Sequence, residues 1–190
     1  MLASGSRYRR DLLARLGLPF TTLLPAVDET PEPGELPAAL AARLARLKAG
    51  VPVAAGAVVI GSDQVAALDG NPLGKPGSPA RALLQLESCQ GRTALFHTAV
   101  AVLDTASGRL LEHVDLTRVR FGRLPRNALE RYLALEPADD CAGGFKAEGL
   151  GIALFEAIES HDPSALIGLP LIWLAGALRA LGLDPLGPPD

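Results

Sequence analysis

The chain has 190 residues, of which 48% are apolar and only 4% aromatic, with a formal net charge of −3. That is enough chain for one domain with a real core filled by Ala, Leu and Val, and the weak negative charge excludes a broad basic face for nucleic acid. Lysine occurs only at 48, 75 and 146 among mostly Arg bases, which matters where a compact point charge is needed, because Arg and Lys are not interchangeable there.

Leu2-Ala3 predicts a short strand. Ser4-Gly5-Ser6 is a small-residue turn, with Ser6 as N-cap of a helix whose apolar face is Leu12, Leu13 and Leu16. A turn leading into a helix N-terminus presents free N–H groups to an anion, and Arg9 lies one turn further on; read alone, the motif is also an ordinary capped helix. Phe20–Leu24 reads as a strand. Pro25–Glu35 is a proline-containing acidic loop with Asp28, Glu29, Glu32 and Glu35, either a solvated charge run or a source of oxygen ligands for a hard cation. Pro37–Gly50 predicts a helix with Lys48 in its last turn, where a base also complements the helix dipole.

Ala57–Ile60 is a β-branched apolar run that reads as a buried strand, broken at Gly61-Ser62, with Asp63 where the strand leaves the core. Asp69-Gly70 signals a type I′ turn between Val65–Leu68 and Asn71–Gly74, and Lys75-Pro76 closes the segment. An acid at a strand end and a nearby base can flank a small anionic ligand; Asp63 as a turn cap and Lys75 as a solvated base are the alternatives. Ser78 caps a helix with Pro79 at its first position. His97–Asp104 and Leu110–Val119 read as strands, and Pro125–Leu135 as a helix. A loop follows over 136–140, then the Gly-rich stretch 141–151 carrying Lys146 and Glu148. Ile152–Ile158 reads as a strand, 160–170 as a loop, Leu171–Leu181 as the closing helix and 184–190 as a frayed tail.

Several motifs fail. Gly70-Asn-Pro-Leu-Gly-Lys75 is one residue short of a phosphate-binding loop and has Pro76 where a hydroxyl should hold metal. Gly149-Leu-Gly151 lacks the rest of a dinucleotide fingerprint, and no Gly-x-Ser-x-Gly elbow exists. His97, His113 and His161 are scattered. Cys89 and Cys141 have no metal-ligand spacing and read as reduced thiols. Ala165–Leu178, the most apolar stretch, is too short for a membrane span. Ser4, Arg7, Arg9 and Arg10 interrupt the apolar start, so no secretory leader is expected. The expectation is a cytoplasmic protein that binds neither membrane nor nucleic acid.

The N-terminal Leu-Ala-Ser-x-Ser-x-x-Arg with Ser4, Ser6 and Arg9, Val27-Asp-Glu29, Lys48, Gly61-Ser-Asp-Gln64, Gly74-Lys-Pro76 and Gly168-Leu-Pro170 together resemble the Maf family of nucleoside triphosphate pyrophosphatases across essentially the whole chain. Gly61-Ser-Asp-Gln-Val65 and Cys141-Ala-Gly-Gly-Phe-Lys-Ala-Glu-Gly149 resemble its 7-methyl-GTP pyrophosphatase subgroup. Departures are Arg7 where the family usually has Pro, Ala99 where it has Gly, and a loop one residue longer at 137–141.

The resemblance implies an α/β fold: a mixed twisted sheet flanked by helices, in an elongated two-lobed single domain (1–190) with a central cleft. It also implies a homodimer, a divalent cation such as Mg²⁺ or Mn²⁺, and hydrolysis of a nucleoside triphosphate, with 7-methyl-GTP foremost, to monophosphate and pyrophosphate. A dTTP/UTP pyrophosphatase of the same fold, or a nucleotide-binding regulator of septum formation, are the alternatives. For chemistry, Asp63 is expected as general base towards a metal-activated water, Glu29 with Asp63 as metal ligands, and Ser4, Ser6, Arg9, Lys48 and Lys75 on the phosphates. Tyr8, Gln64 and Glu148 are implied as specificity positions: Tyr8 by stacking on a cationic methylated ring, Glu148 by accepting two N–H groups of guanine, Gln64 by offering a donor and an acceptor.

Overall fold

A computed structural model describes residues 1–187. Its elements in chain order are β1 (Leu2–Ala3), α1 (Arg7–Ala14), β2 (Thr22–Leu23), α2 (Pro37–Ala49), β3 (Val58–Leu68), β4 (Asn71–Leu73), α3 (Pro79–Cys89), β5 (Thr93–Asp104), β6 (Leu110–Phe121), α4 (Arg126–Leu135), β7 (Phe155–Glu159) and α5 (Leu171–Arg179), with 3₁₀ turns at Leu150–Leu154 and Ala165–Ile167. The strands form one open mixed sheet in the order β2-β1-β3-β5-β6-β7, with β4 beside β3. No helix among the described residues is long and apolar enough to cross a membrane.

β3 corrects the expectation of a short strand broken at Gly61-Ser62. It runs unbroken for 11 residues, so Asp63 lies mid-strand rather than at a strand end. Gly61 does not interrupt the sheet. It lets α2 press against it: a Cβ there would collide with the backbone of Ala45 and Ala49, the close approach that places Gly inside a strand. Ser62 stays in the buried strand because its hydroxyl donates to the carbonyls of Ala99 at 2.8 Å and Gly168 at 3.0 Å. The Asp69-Gly70 turn is as expected, with both residues at positive φ, 49° and 80°. Other boundaries move as well: β5 begins at Thr93, ahead of the expected His97, and β6 runs past Val119 to Phe121. Ile152–Leu154 belongs to a 3₁₀ turn rather than to a strand, and only Thr22–Leu23 of the Phe20–Leu24 run pairs as strand.

Strand register creates the central feature. β1 pairs in parallel with β3 at Ile60 and Gly61, and β4 pairs antiparallel at Ala66, Ala67 and Leu68. β5 occupies the whole opposite edge of β3, from Val58 to Leu68. Residues 62–65 of β3 therefore have no strand neighbour on the β1 side, and the sheet has a notch there.

Alternation along β3 sends neighbouring residues to opposite faces. On one face, Val65, Ala99 and Ala101 pack under Leu40, Ala41, Leu44 and Ala45 of α2. The other face carries two cores. Ile60, Val100 and Val102 pack with Leu12, Leu13, Leu174 and Leu178 of α1 and α5. Ala66, Phe96, Val119 and Phe121 pack with Leu86, Leu129, Tyr132 and Phe145. These two cores share one face of the sheet, and Ser62, Gln64 and Thr98 form the polar belt between them. The tail expected from Asp184 onward begins with a turn in which Asp184 accepts from Arg179 and from the Leu186 N–H, both at 3.0 Å; 188–190 lie outside the described residues.

Candidate active site

The notch gathers the charged residues. Lys48, in the last turn of α2, is only 5% exposed. Its ammonium lies 2.7 Å from Asp63 Oδ1 and 2.6 Å from Glu29 Oε1. Asp63 is 9% exposed, whereas the Glu29 side chain is 60% exposed on the acidic loop. The Lys48 hydrogen bond holds the Glu29 carboxyl below its ordinary value against the opposing effect of burial, and the charges of Lys48, Lys75 and Arg9 add to it. Lys75 is exposed, just beyond β4. Asp63 Oδ2 and Glu29 Oε2 make no hydrogen bond among the described residues and remain accessible from the notch.

The β1–α1 turn borders the notch, because β1 ends opposite Gly61. Ser4 Oγ accepts from the Ser6 N–H at 3.1 Å, and Ser6 Oγ caps α1 by accepting from the Arg9 N–H at 3.4 Å. Both serines act here as acceptors, so each hydroxyl proton is available to an anion. The first N–H groups of α1 lack intrahelical acceptors, as at any helix start. Arg9 Nε donates to the Gly168 carbonyl at 2.9 Å. Burial pulls the Arg9 guanidinium below its ordinary value, while Asp63 and Glu29 push it back up. Arg9, Glu29, Asp63, Lys48 and Lys75 thus share one electrostatic environment despite their spread along the chain.

Of the three positions expected to select the base, Gln64 belongs to the polar belt, Tyr8 contacts the Gly-rich loop and Glu148 lies in that loop. Gln64 faces away from Asp63, and its amide nitrogen lies 2.9–3.0 Å from Thr98 Oγ1 and from the carbonyls of Ala165 and Leu166. Three surrounding acceptors assign that atom as nitrogen, so only Oε1 is left for a ligand. The expectation of both a donor and an acceptor is corrected to an acceptor alone. Tyr8 is half-buried, with its hydroxyl 3.9 Å from Cys141 Sγ. This contact joins α1, which packs on one core, to the Gly-rich loop, which packs on the other. Burial, with Cys141 and then Asp140 and Glu148 adding, pushes the Tyr8 phenol up to about 12. Glu148 is exposed and lines a cavity of about 360 Å³ whose other walls are Ala147, Ile152, Ile158, Ser160, Pro163, Leu166 and Ile167. Another cavity, of about 330 Å³ beside Arg46, Glu112 and His113, touches none of the charged set. The notch lies outside both.

Sequence reasoning passed over Ser62 and Thr98, two of the belt residues that hold the site. Ser62 and Arg9 both donate to the Gly168 carbonyl, and Thr98 donates to Ala165 O at 2.9 Å. The signal was available: Ser62 and Gln64 are polar residues two apart in an apolar strand, the spacing that points both to one face.

Residues 1–181 match the family described as Maf-like protein. A protein of Xanthomonas oryzae pv. oryzae named 7-methyl-GTP pyrophosphatase is 56% identical over 184 residues, covering 96% of both chains. Proteins of the same name from Bordetella avium and Paraburkholderia xenovorans are 54% and 52% identical, covering 100% and 98% of this chain and 96% and 94% of theirs. Identity of this order over nearly the full length, on a chain whose matching motifs meet at one notch in the sheet, leaves one assignment: the chain belongs to the Maf-like protein family.

Proposed function

We propose that the protein hydrolyses a nucleoside triphosphate between its α and β phosphates, with 7-methyl-GTP preferred, and releases the monophosphate and pyrophosphate. The observation that carries this reading is the buried Lys48 ammonium bridging Asp63 and Glu29 at the sheet notch. A polyanionic ligand needs cations and N–H donors around it, and Lys48, Lys75, Arg9 and the Ser4–Ser6 turn are drawn up around that point. Lys48 occupies Oδ1 of Asp63, so the proton from the attacking water goes to Oδ2.

The donor set fits a divalent cation. One or two carboxylates completed by substrate phosphates and waters are the usual surroundings of Mg²⁺; Glu29 Oε2 would hold the cation, with the Asp63 carboxylate charge beside it and Oδ2 kept for the proton, and no cluster of three or more His, Cys, Asp or Glu exists among the described residues. When bound, the cation supplies charge neutralisation on the phosphates.

For the base, one carboxylate on a mainly apolar cavity suits a methylated, positively charged ring bearing N–H donors. The relatives bearing the name 7-methyl-GTP pyrophosphatase support the same choice. A homodimer and a cytoplasmic location belong to this proposal through the family resemblance alone.

The test is pyrophosphate release from 7-methyl-GTP, GTP, dTTP and UTP with Mg²⁺ or Mn²⁺. Highest kcat/KM on 7-methyl-GTP supports the reading. Preference for dTTP or UTP overturns the base assignment while leaving the hydrolysis, and no pyrophosphate from any nucleotide overturns both.

A further inference from the structure

The loop that carries Glu148 is tied down from outside. The Tyr132 hydroxyl accepts from the Lys146 N–H at 3.1 Å and donates to Glu136 Oε2 at 3.2 Å. Glu136 also accepts from the Leu150 N–H at 3.1 Å and the Gly151 N–H at 3.0 Å, one on each carboxylate oxygen. Tyr132 and Glu136 are four residues apart at the end of α4 and so share one face. Burial pushes the Tyr132 phenol above its ordinary value, which keeps its proton in place for the Glu136 bond. Gly149 passes so close to Glu136 that a Cβ there would collide with the carboxylate. Anchors therefore stand on both sides of Glu148, at 146 and at 150–151. Glu148 itself makes no hydrogen bond or ion pair among the described residues and lies on the cavity wall.

We propose that Tyr132 and Glu136 are positioning residues for base selection, acting through the loop backbone to hold the Glu148 carboxylate towards the N–H edge of the base. This rests on the reading of Glu148 given above. A carboxylate on a loose loop must be ordered each time a ligand binds, and that entropy weakens affinity. The buried Tyr132 and the half-buried Glu136 remove most of this cost before binding. The triphosphate is gripped by other elements, β1–α1, α2 and β3, so the clamp affects discrimination between bases and not the hydrolytic step.

The experiment measures kcat and KM for 7-methyl-GTP and for UTP in the wild type, Tyr132→Phe, Glu136→Gln, Glu148→Gln and the Glu136→Gln/Glu148→Gln double variant. Tyr132→Phe keeps the buried ring, so the test does not hinge on Glu136 variants folding. Tyr132→Phe and Glu136→Gln should each lower the preference for 7-methyl-GTP about fivefold, through KM, the size of one lost hydrogen bond, with kcat on UTP unchanged. The double variant should lose no more preference than Glu148→Gln alone, because both changes act through one carboxylate. If Glu148→Gln lowers the preference but Tyr132→Phe and Glu136→Gln do not, or if the losses multiply, the clamp proposal is overturned and the reading of Glu148 stands. If Glu148→Gln keeps the wild-type preference, the reading of Glu148 falls and the positioning role falls with it.

Discussion

Lys48 is a buried ammonium held by two carboxylates, and its replacement separates charge from shape. Arg carries the same charge on a wider planar group that cannot sit 2.6–2.7 Å from both Glu29 and Asp63 without moving α2. Lys48→Arg should lower kcat/KM at least about tenfold, beyond the 1.4 kcal/mol that factor represents, while the exposed Lys75→Arg loses less. Steady-state assays of the two variants side by side check the order, and equal losses would contradict it. Asp63→Asn keeps the side-chain shape and a Lys48 acceptor but removes the proposed base. Turnover should drop about 10²–10⁴-fold with nucleotide affinity retained, and a variant keeping half the wild-type rate refutes the assignment. Glu29 adds a pH dependence of known sign. Its folded pKa is lowered, so its contribution to stability is present above the ordinary value of 4.5 and is lost as pH falls through the lowered one.

At the scale of elements, the site depends on how closely α2 lies on β3. Gly61 sets that distance, since any side chain meets the backbone of Ala45 and Ala49. Gly61→Ala should destabilise the fold by about 3 kcal/mol, at the upper end of overpacking effects. It should also weaken activity in the molecules that stay folded, because Lys48 rides on the same helix. Urea denaturation and a parallel activity measurement test both parts; an unchanged midpoint would mean that α2 shifts freely. The 160–172 segment is the second such joint. Its carbonyls at Ala165, Leu166 and Gly168 receive Gln64, Thr98, Ser62 and Arg9, while Asp162 fixes its far end by accepting from the N–H groups of Ser164 and Ile172.

Across the whole molecule, the sheet carries one buried carboxyl that works against stability at neutral pH. Asp115 is buried on β6, and desolvation together with Asp162 raises its pKa, with His113, His161 and the Ser160 hydrogen bond opposing. A raised carboxyl pKa means that the folded state binds the extra proton, so folding is favoured at low pH and penalised as pH rises through the folded value. Asp115→Asn should therefore raise the unfolding midpoint near pH 7. The gain should shrink towards pH 3.8, the ordinary carboxyl value. Thermal unfolding over that range reads it directly, and a gain that grows on acidification would reverse the sign argued here.

The sequence by itself determined what is local. The N-cap at Ser6, Pro79 at the start of α3, the Asp69-Gly70 hairpin and the Leu12–Leu13 face of α1 depend on residues within a turn or two of one another, and all are found where expected. The candidate charged residues were legible as residue types in a familiar order, through the family resemblance. Only the tertiary structure decided how they meet. Asp63 looked like the end of a strand because Gly61-Ser62 reads as a break. What keeps that stretch in the sheet is a helix backbone from 45–49 and a carbonyl at 168, neither of which is near it in sequence. The direction of Gln64, the capture of its amide by 165–166 and the notch at 62–65 likewise follow from strand register and from packing between distant segments, which no local pattern of side chains encodes.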